Sequence, residues 1–113
     1  MWRTPLKTYI NNSGILTLAE FKDLPFPPKR FFMVYDVTSK RGGHAHKKCE
    51  QFIICAHGTC GVDINREDAY LLSKQDVGIY IPASTWVEYN LSKDGVLLVF
   101  ASEPYDPEDY IYE

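Results

Sequence analysis

Seven short segments, most of them rich in β-branched or aromatic residues and bounded by Gly, Pro, Asn, Asp or Ser, set what this chain can fold into. They cover residues 30–37, 51–56, 59–64, 69–73, 78–82, 85–89 and 96–101. His57-Gly58 reads as a hairpin turn, and Ser92-Lys93-Asp94-Gly95 as a second turn. Helix is scarce: residues 16–21 and 104–110 each have room for one short turn. Leu24-Pro25-Phe26-Pro27-Pro28 is a stiff extended connector that fits neither a helix nor a central strand. No repeat, low-complexity stretch or interdomain linker interrupts the pattern. Short, evenly punctuated strands predict an all-β single domain, a sandwich or small barrel spanning residues 1–113. A chain of this length buries roughly two thirds of its extended surface, enough for a core without staples.

Composition then removes several function classes. No apolar run approaches the ~20 residues needed to span a bilayer. The start, Met1-Trp2-Arg3-Thr4-Pro5-Leu6-Lys7, lacks the apolar stretch of a signal peptide. A net charge of −3 argues against nucleic-acid binding, though not against a local basic pocket for phosphate. Cys49, Cys55 and Cys60 are odd in number and lack C-x-x-C spacing. They read as free thiols with packing roles in a reducing cytoplasm.

The densest polar chemistry lies in Arg41-Gly42-Gly43-His44-Ala45-His46-Lys47-Lys48-Cys49-Glu50-Gln51. On a strand, His44 and His46 share one face because side chains alternate with period 2. Two imidazoles beside the apolar run Phe52-Ile53-Ile54-Cys55-Ala56 suit metal binding or proton transfer. His44, His46 and Glu50 supply three metal ligands on paper. The plainer role is a structural pair bonded to backbone or carboxylate groups.

Gly43, His44, His46, Glu50 and Gly58 resemble the first motif of the cupins, with one extra residue before the last glycine. Gly78, Pro82 and Asn90 echo the second motif weakly, and Val87 stands where its metal-binding histidine would be. A narrower likeness rests on Lys29-Arg30 leading to Tyr35-Asp36-Val37, then Arg41-Gly42-Gly43-His44-Ala45-His46-Lys47-Lys48 and Gln51-Phe52. It continues through Gly78-Ile79-Tyr80-Ile81-Pro82, Trp86, Glu88, Ala101-Ser102-Glu103-Pro104-Tyr105-Asp106 and Glu108-Asp109-Tyr110-Ile111. In these stretches the chain resembles the nucleoside-diphosphate-sugar 3,4-ketoisomerases that act on dTDP-4-keto-6-deoxyglucose.

That resemblance implies a single cupin, or jelly-roll, barrel of short antiparallel strands. It implies an enzyme that moves a carbonyl from C4 to C3 through an enediol, with no cofactor and no metal. It makes His46 the base, and gives His44 the second proton transfer or the orientation of the sugar. Tyr35 becomes a candidate proton donor, and Arg41 a binder of sugar oxygens or phosphate. Lys29 and Arg30 would meet the pyrophosphate, and Trp86 the thymine or sugar. The positions of Ser13 and Val87 resemble two that influence which C4 epimer forms, where relatives commonly carry titratable or basic side chains. The implied partner is a dTDP-linked keto-deoxysugar, in a cytoplasmic pathway toward 3-amino sugars, with no nucleic acid or membrane involved. The implied assembly is a homodimer that exchanges N-terminal strands, here from residues 6–18. Two other readings stay open: a sugar-nucleotide-binding cupin without turnover, and a metal-dependent cupin enzyme. For single residues the plainer roles are a barrel-wall position for Tyr35, core packing for Trp86 and an Arg41–Glu50 ion pair.

Overall fold

The computed structural model describes residues 3–39 and 41–112, with only the backbone of Arg41 and Gly42. Its strands are β1 (Arg3–Pro5), β2 (Lys7–Asn11), β3 (Gly14–Leu18), β4 (Arg30–Tyr35), β5 (Arg41–His46) and β6 (Gln51–His57). Then come β7 (Cys60–Ile64), β8 (Asp68–Leu72), β9 (Val77–Ile81), β10 (Val87–Leu91), β11 (Val96–Ala101) and β12 (Tyr110–Ile111). Among the described residues there is no α-helix, only single 3-10 turns at Phe21–Asp23 and Pro107–Asp109. None is long and apolar enough to cross a membrane. The strands form two five-stranded sheets, ordered β1-β9-β6-β11-β4 and β12-β5-β10-β7-β8, plus the separate hairpin β2-β3. Every pairing is antiparallel, and the two large sheets pack face to face as a jelly roll.

Period-2 alternation decides which side chains meet between the sheets. From the first sheet, Ile53, Cys55, Ile79, Ile81, Leu97 and Val99 face inward. From the second, Cys60, Val62, Ile64, Leu72, Val87, Tyr89 and Leu91 answer them. Burying each bulky aliphatic side chain here contributes about 1.5–3 kcal/mol. The first sheet is also covered on its outer face, where Phe52 and Ile54 pack with Phe26, Leu24, Leu6 and Phe100. This second layer explains why Phe52-Ile53-Ile54-Cys55 is apolar without alternation: β6 is buried on both sides. Gly78 sits where any Cβ would overlap the Phe52 ring, so the outer layer needs a glycine on β9.

Several boundaries move. The turn expected within residues 16–21 falls later, at Phe21–Asp23, because Gly14–Leu18 pairs with β2 instead. β4 stops at Tyr35 because Asp36 takes a positive φ of 53°. The acidic stretch after residue 104 holds the expected turn, and also a strand, β12, that pairs with β5. The three cysteines are free and buried, as the packing role requires. Burial pushes the Cys60 thiol up to about 12, far from the reactive thiolate range.

Candidate active site

A bulge sets the phase of β5. Val87 of β10 pairs with His44, yet the next residue, Glu88, pairs with Gly42, so Gly43 is the extra residue. It adopts φ +75°, a conformation that glycine reaches without steric cost. Past the bulge, His44 shares the inward face with Val87, and His46 follows two residues later. Both imidazoles therefore project between the sheets, with ring centroids 4.9 Å apart.

The C-terminal arm closes around this pair. Tyr110 pairs with His46 in register, and Lys47 N–H donates to Asp109 O at 2.8 Å. The Tyr110 ring lies 4.4 Å from the His46 ring and 4.9 Å from that of His44. Tyr112 stacks on Tyr110 at 5.9 Å. One carboxylate turns inward: Asp109 Oδ2 lies 3.0 Å from His46 Nδ1. Asp109 also accepts from Lys48 N–H at 2.8 Å and Cys49 N–H at 3.2 Å. The opposite nitrogen, His46 Nε2, is buried and has no hydrogen-bond partner among the described groups. On the facing sheet Arg30 spans the rings of Phe32 and Tyr105, at 5.1 and 5.8 Å. Deeper in, Tyr89 O–H donates to Gln51 Oε1 at 2.9 Å.

Electrostatics follow from this packing. Burial lowers the His46 pKa below its ordinary 6.5; the Asp109 hydrogen bond and charge oppose this, and the nearby Arg30 charge reinforces it. Burial alone would raise the Asp109 carboxyl. The Cys49 N–H, His46 and Lys48 N–H donors outweigh burial and hold it below the ordinary carboxylate value. At neutral pH the pair is thus a neutral imidazole beside a carboxylate, a base rather than an ion pair.

The sequence-derived candidates separate into those at this site and those away from it. His44, His46, Arg30 and Val87 surround one end of the interior, and Val87 is fully buried there. Tyr35 does not join them: in β4 it follows Phe31 and Met33 onto the outer face, 59% exposed, while Phe32 and Val34 face the core. A donor role for Tyr35 toward this pair fails because the sheet stands between. Lys29 is exposed and 4.0 Å from Glu103. Trp86 packs beneath Arg66, 4.3 Å from its guanidinium, and donates its backbone N–H to Asn65 Oδ1. Ser13 lies at the tip of the β2–β3 hairpin, in an Asx turn with Asn11. The Arg41 side chain, and with it the Arg41–Glu50 pair, lies outside the described residues.

The cupin-type metal set does not fit. Glu50 points out of the barrel, where Tyr80 O–H donates to its Oε1 at 2.5 Å, so it cannot join His44 and His46. Its neighbour Gln51 takes the inward phase instead. His46, Cys49 and Asp109 do bring ligand-type atoms within 4.8 Å of one another. Those groups are already engaged with each other and with the Lys48 and Glu50 backbone.

Asp109 and Tyr110 are site residues that the sequence does not mark. Asp109 lies 63 positions from His46, and no local spacing marks it. The one sequence signal at this place is that Glu108-Asp109-Tyr110-Ile111 belongs to the stretches that resemble the 3,4-ketoisomerases.

Comparison with known proteins agrees with this geometry. The family model described as "FdtA: WxcM-like, C-terminal" matches residues 3–113. A TDP-4-oxo-6-deoxy-alpha-D-glucose-3,4-oxoisomerase of Aneurinibacillus thermoaerophilus is 38% identical over 112 residues, covering 93% of this chain and 81% of that protein. The crystal structure of QdtA, a sugar 3,4-ketoisomerase of Thermoanaerobacterium thermosaccharolyticum in complex with TDP, superposes with a TM-score of 0.90. It is 35% identical, over 98% of this chain and 86% of that one. WlaRB, a TDP-quinovose 3,4-ketoisomerase of Campylobacter jejuni, gives a TM-score of 0.91 at 34% identity, over 98% and 91% of the two chains.

Proposed function

Because the chain belongs to the FdtA family, we propose that it is a TDP-4-keto-6-deoxyhexose 3,4-ketoisomerase with His46 as its base. The observation that carries the reading is His46 Nε2: a buried ring nitrogen with no hydrogen-bond partner among the described residues, on a neutral imidazole in the interior that His44 and Arg30 also line.

The substrate's C3 proton is acidic because it lies α to the C4 ketone. Nε2 takes that proton, and the electron pair of the C3–H bond forms the C3–C4 double bond as O4 becomes an enolate oxygen. A proton reaches O4 and the O3 proton leaves, which converts one enolate into the other. The imidazolium then returns its proton to C4, and the carbonyl stands at C3. The reaction is redox-neutral, and no proton is gained or lost overall. A base with a pKa near the working pH serves both halves, and such transfer typically supplies about 10²–10⁴-fold. His44, with its ring edge-on to His46, suits the O3/O4 proton traffic or the orientation of the sugar. Arg30 brings a guanidinium suited to hydroxyl or phosphate oxygens. Val87 adds an apolar wall beside His44, which raises the value of every charge–dipole contact nearby.

We also propose a homodimer. Among the described residues the β2–β3 hairpin is a separate two-stranded sheet, so each strand keeps an open outer edge, and Ile10 is 75% and Ile15 70% exposed. An apolar cleft of about 290 Å³ runs along its base, walled by Leu18, Phe21, Ile54, Leu98 and Phe100. Together they suit an exchanged hairpin of a second copy, in a cytoplasmic enzyme.

The test is proton NMR of EDTA-treated protein with TDP-4-keto-6-deoxyglucose in heavy water. Loss of the C3 proton signal with deuterium at C4 is expected, and His46→Asn should abolish it by at least about 10³-fold while leaving the fold intact. Binding without exchange would turn the assignment into a sugar-nucleotide-binding module.

A further inference from the structure

We infer that Asp109, delivered by the C-terminal arm, is a positioning residue for the isomerisation: it holds the His46 Nδ1 proton and so leaves the Nε2 lone pair facing the substrate. This rests on His46 being the base, as proposed above.

The geometry leaves little freedom. A neutral imidazole carries one proton, and the second nitrogen is an acceptor. A carboxylate can only accept, so at 3.0 Å the proton between His46 and Asp109 belongs to Nδ1. The carboxylate is itself fixed by two backbone N–H groups, those of Lys48 and Cys49. Its backbone is tied by Lys47 N–H and by the β12–β5 pairing. Those three donors come from the three residues that follow His46. The turn after the base thus holds the arm that orients the base.

Other groups facing His46 cannot take over. His44 and Tyr110 contact its ring edge-on or tilted. Arg30 is a permanent cation that opposes imidazolium. The Cys49 thiol donates to Glu50 O at 3.4 Å, and Tyr89 bonds Gln51. Asp109 is the acceptor on Nδ1.

An asparagine at 109 keeps shape and volume but has one acceptor oxygen for three converging donors. Its NH₂ would donate to Nδ1 and drive the imidazole proton onto Nε2, the wrong tautomer for a base. For Asp109→Asn we expect kcat to fall at least about 10²-fold with KM for the TDP-sugar within about threefold. Losing the carboxylate also removes a stabiliser of imidazolium, so the acidic limb of kcat/KM should move to lower pH. A structural role would instead lower the melting temperature while leaving kcat and the pH limb unmoved at temperatures where the variant is folded. A folded Asp109→Asn protein with near wild-type kcat overturns the proposal. The unsubstituted protein gives an independent check that needs no variant to fold: two-dimensional ¹⁵N–¹H NMR of the imidazoles. The Nδ1–H tautomer of His46 is expected, and an Nε2–H tautomer overturns the proposal. Full activity in His46→Asn would instead sink the base assignment, a result distinguishable from either of these.

Discussion

The β2–β3 hairpin and the C-terminal arm are both short β-excursions from the sandwich, yet they are bound by different forces. Among the described residues the β2–β3 hairpin has no strand partner beyond its own pairing of Lys7–Asn11 with Gly14–Leu18, and it turns Tyr9, Ile10, Ile15 and Leu16 to solvent. The C-terminal arm has just two paired residues, Tyr110 and Ile111, but spends its polar groups on the barrel through Asp109. An apolar excursion is non-specific about its partner and suits another copy of the chain. A polar excursion with three converging donors has one seat, and that seat adjoins the base. Apolar surface confers association and hydrogen bonding confers position.

The largest effect that would sharpen this contrast is removal of the arm. Truncation before Asp109 should cost at least about 10²-fold in kcat, with the β-sheet circular dichroism retained. Loss of the sheet signal would show that the arm holds the fold together as well as the site. Next comes the hairpin. The double substitution Ile10→Asp with Ile15→Asp should shift the protein to monomer in light scattering, since two buried charges in an apolar interface are strongly unfavourable. If the dimer survives, the hairpin is not its interface. A third test is pH. The lowered His46 pKa means that the unfolded chain binds a proton more readily, so stability is full well above pH 6.5 and is lost as pH falls through 6.5 toward the folded pKa. The slope from this one group is at most about 1.4 kcal/mol per pH unit, and denaturation of His46→Gln should lack it. The smallest effect is expected at Tyr112, which stacks on Tyr110 but is 68% exposed. Tyr112→Ala should change stability by about 0.5 kcal/mol or less, and a larger loss would mean the arm is anchored through its aromatic rings.

Much of the sandwich was legible because its strands alternate or carry β-branched runs between turn residues. β11 was bounded correctly, and β6 and β7 to within a residue. Which phase faces inward is harder where both are apolar. In Arg30-Phe31-Phe32-Met33-Val34-Tyr35 either set can make a core, and the sheet buried Phe32 and Val34, leaving Tyr35 outside. Glu50 failed as a metal ligand for the same reason: it sits one residue out of phase with Gln51, which faces in. His44 and His46 were legible because i and i+2 share a face in any strand. Asp109 was not, because a contact across 63 residues is a product of sheet topology, which local pattern does not encode.

The bulge at Gly43 makes β5 behave like a reading frame. Inserting one residue between Gly43 and His44 without moving the bulge would turn both imidazoles to the opposite face of the strand and bring Ala45 inward. Relatives that vary in length here must change by two residues or carry the left-handed glycine along. Length variation and glycine position in this strand are therefore coupled characters, and a designer who grafts this histidine pair onto another barrel has to transplant the kink with it.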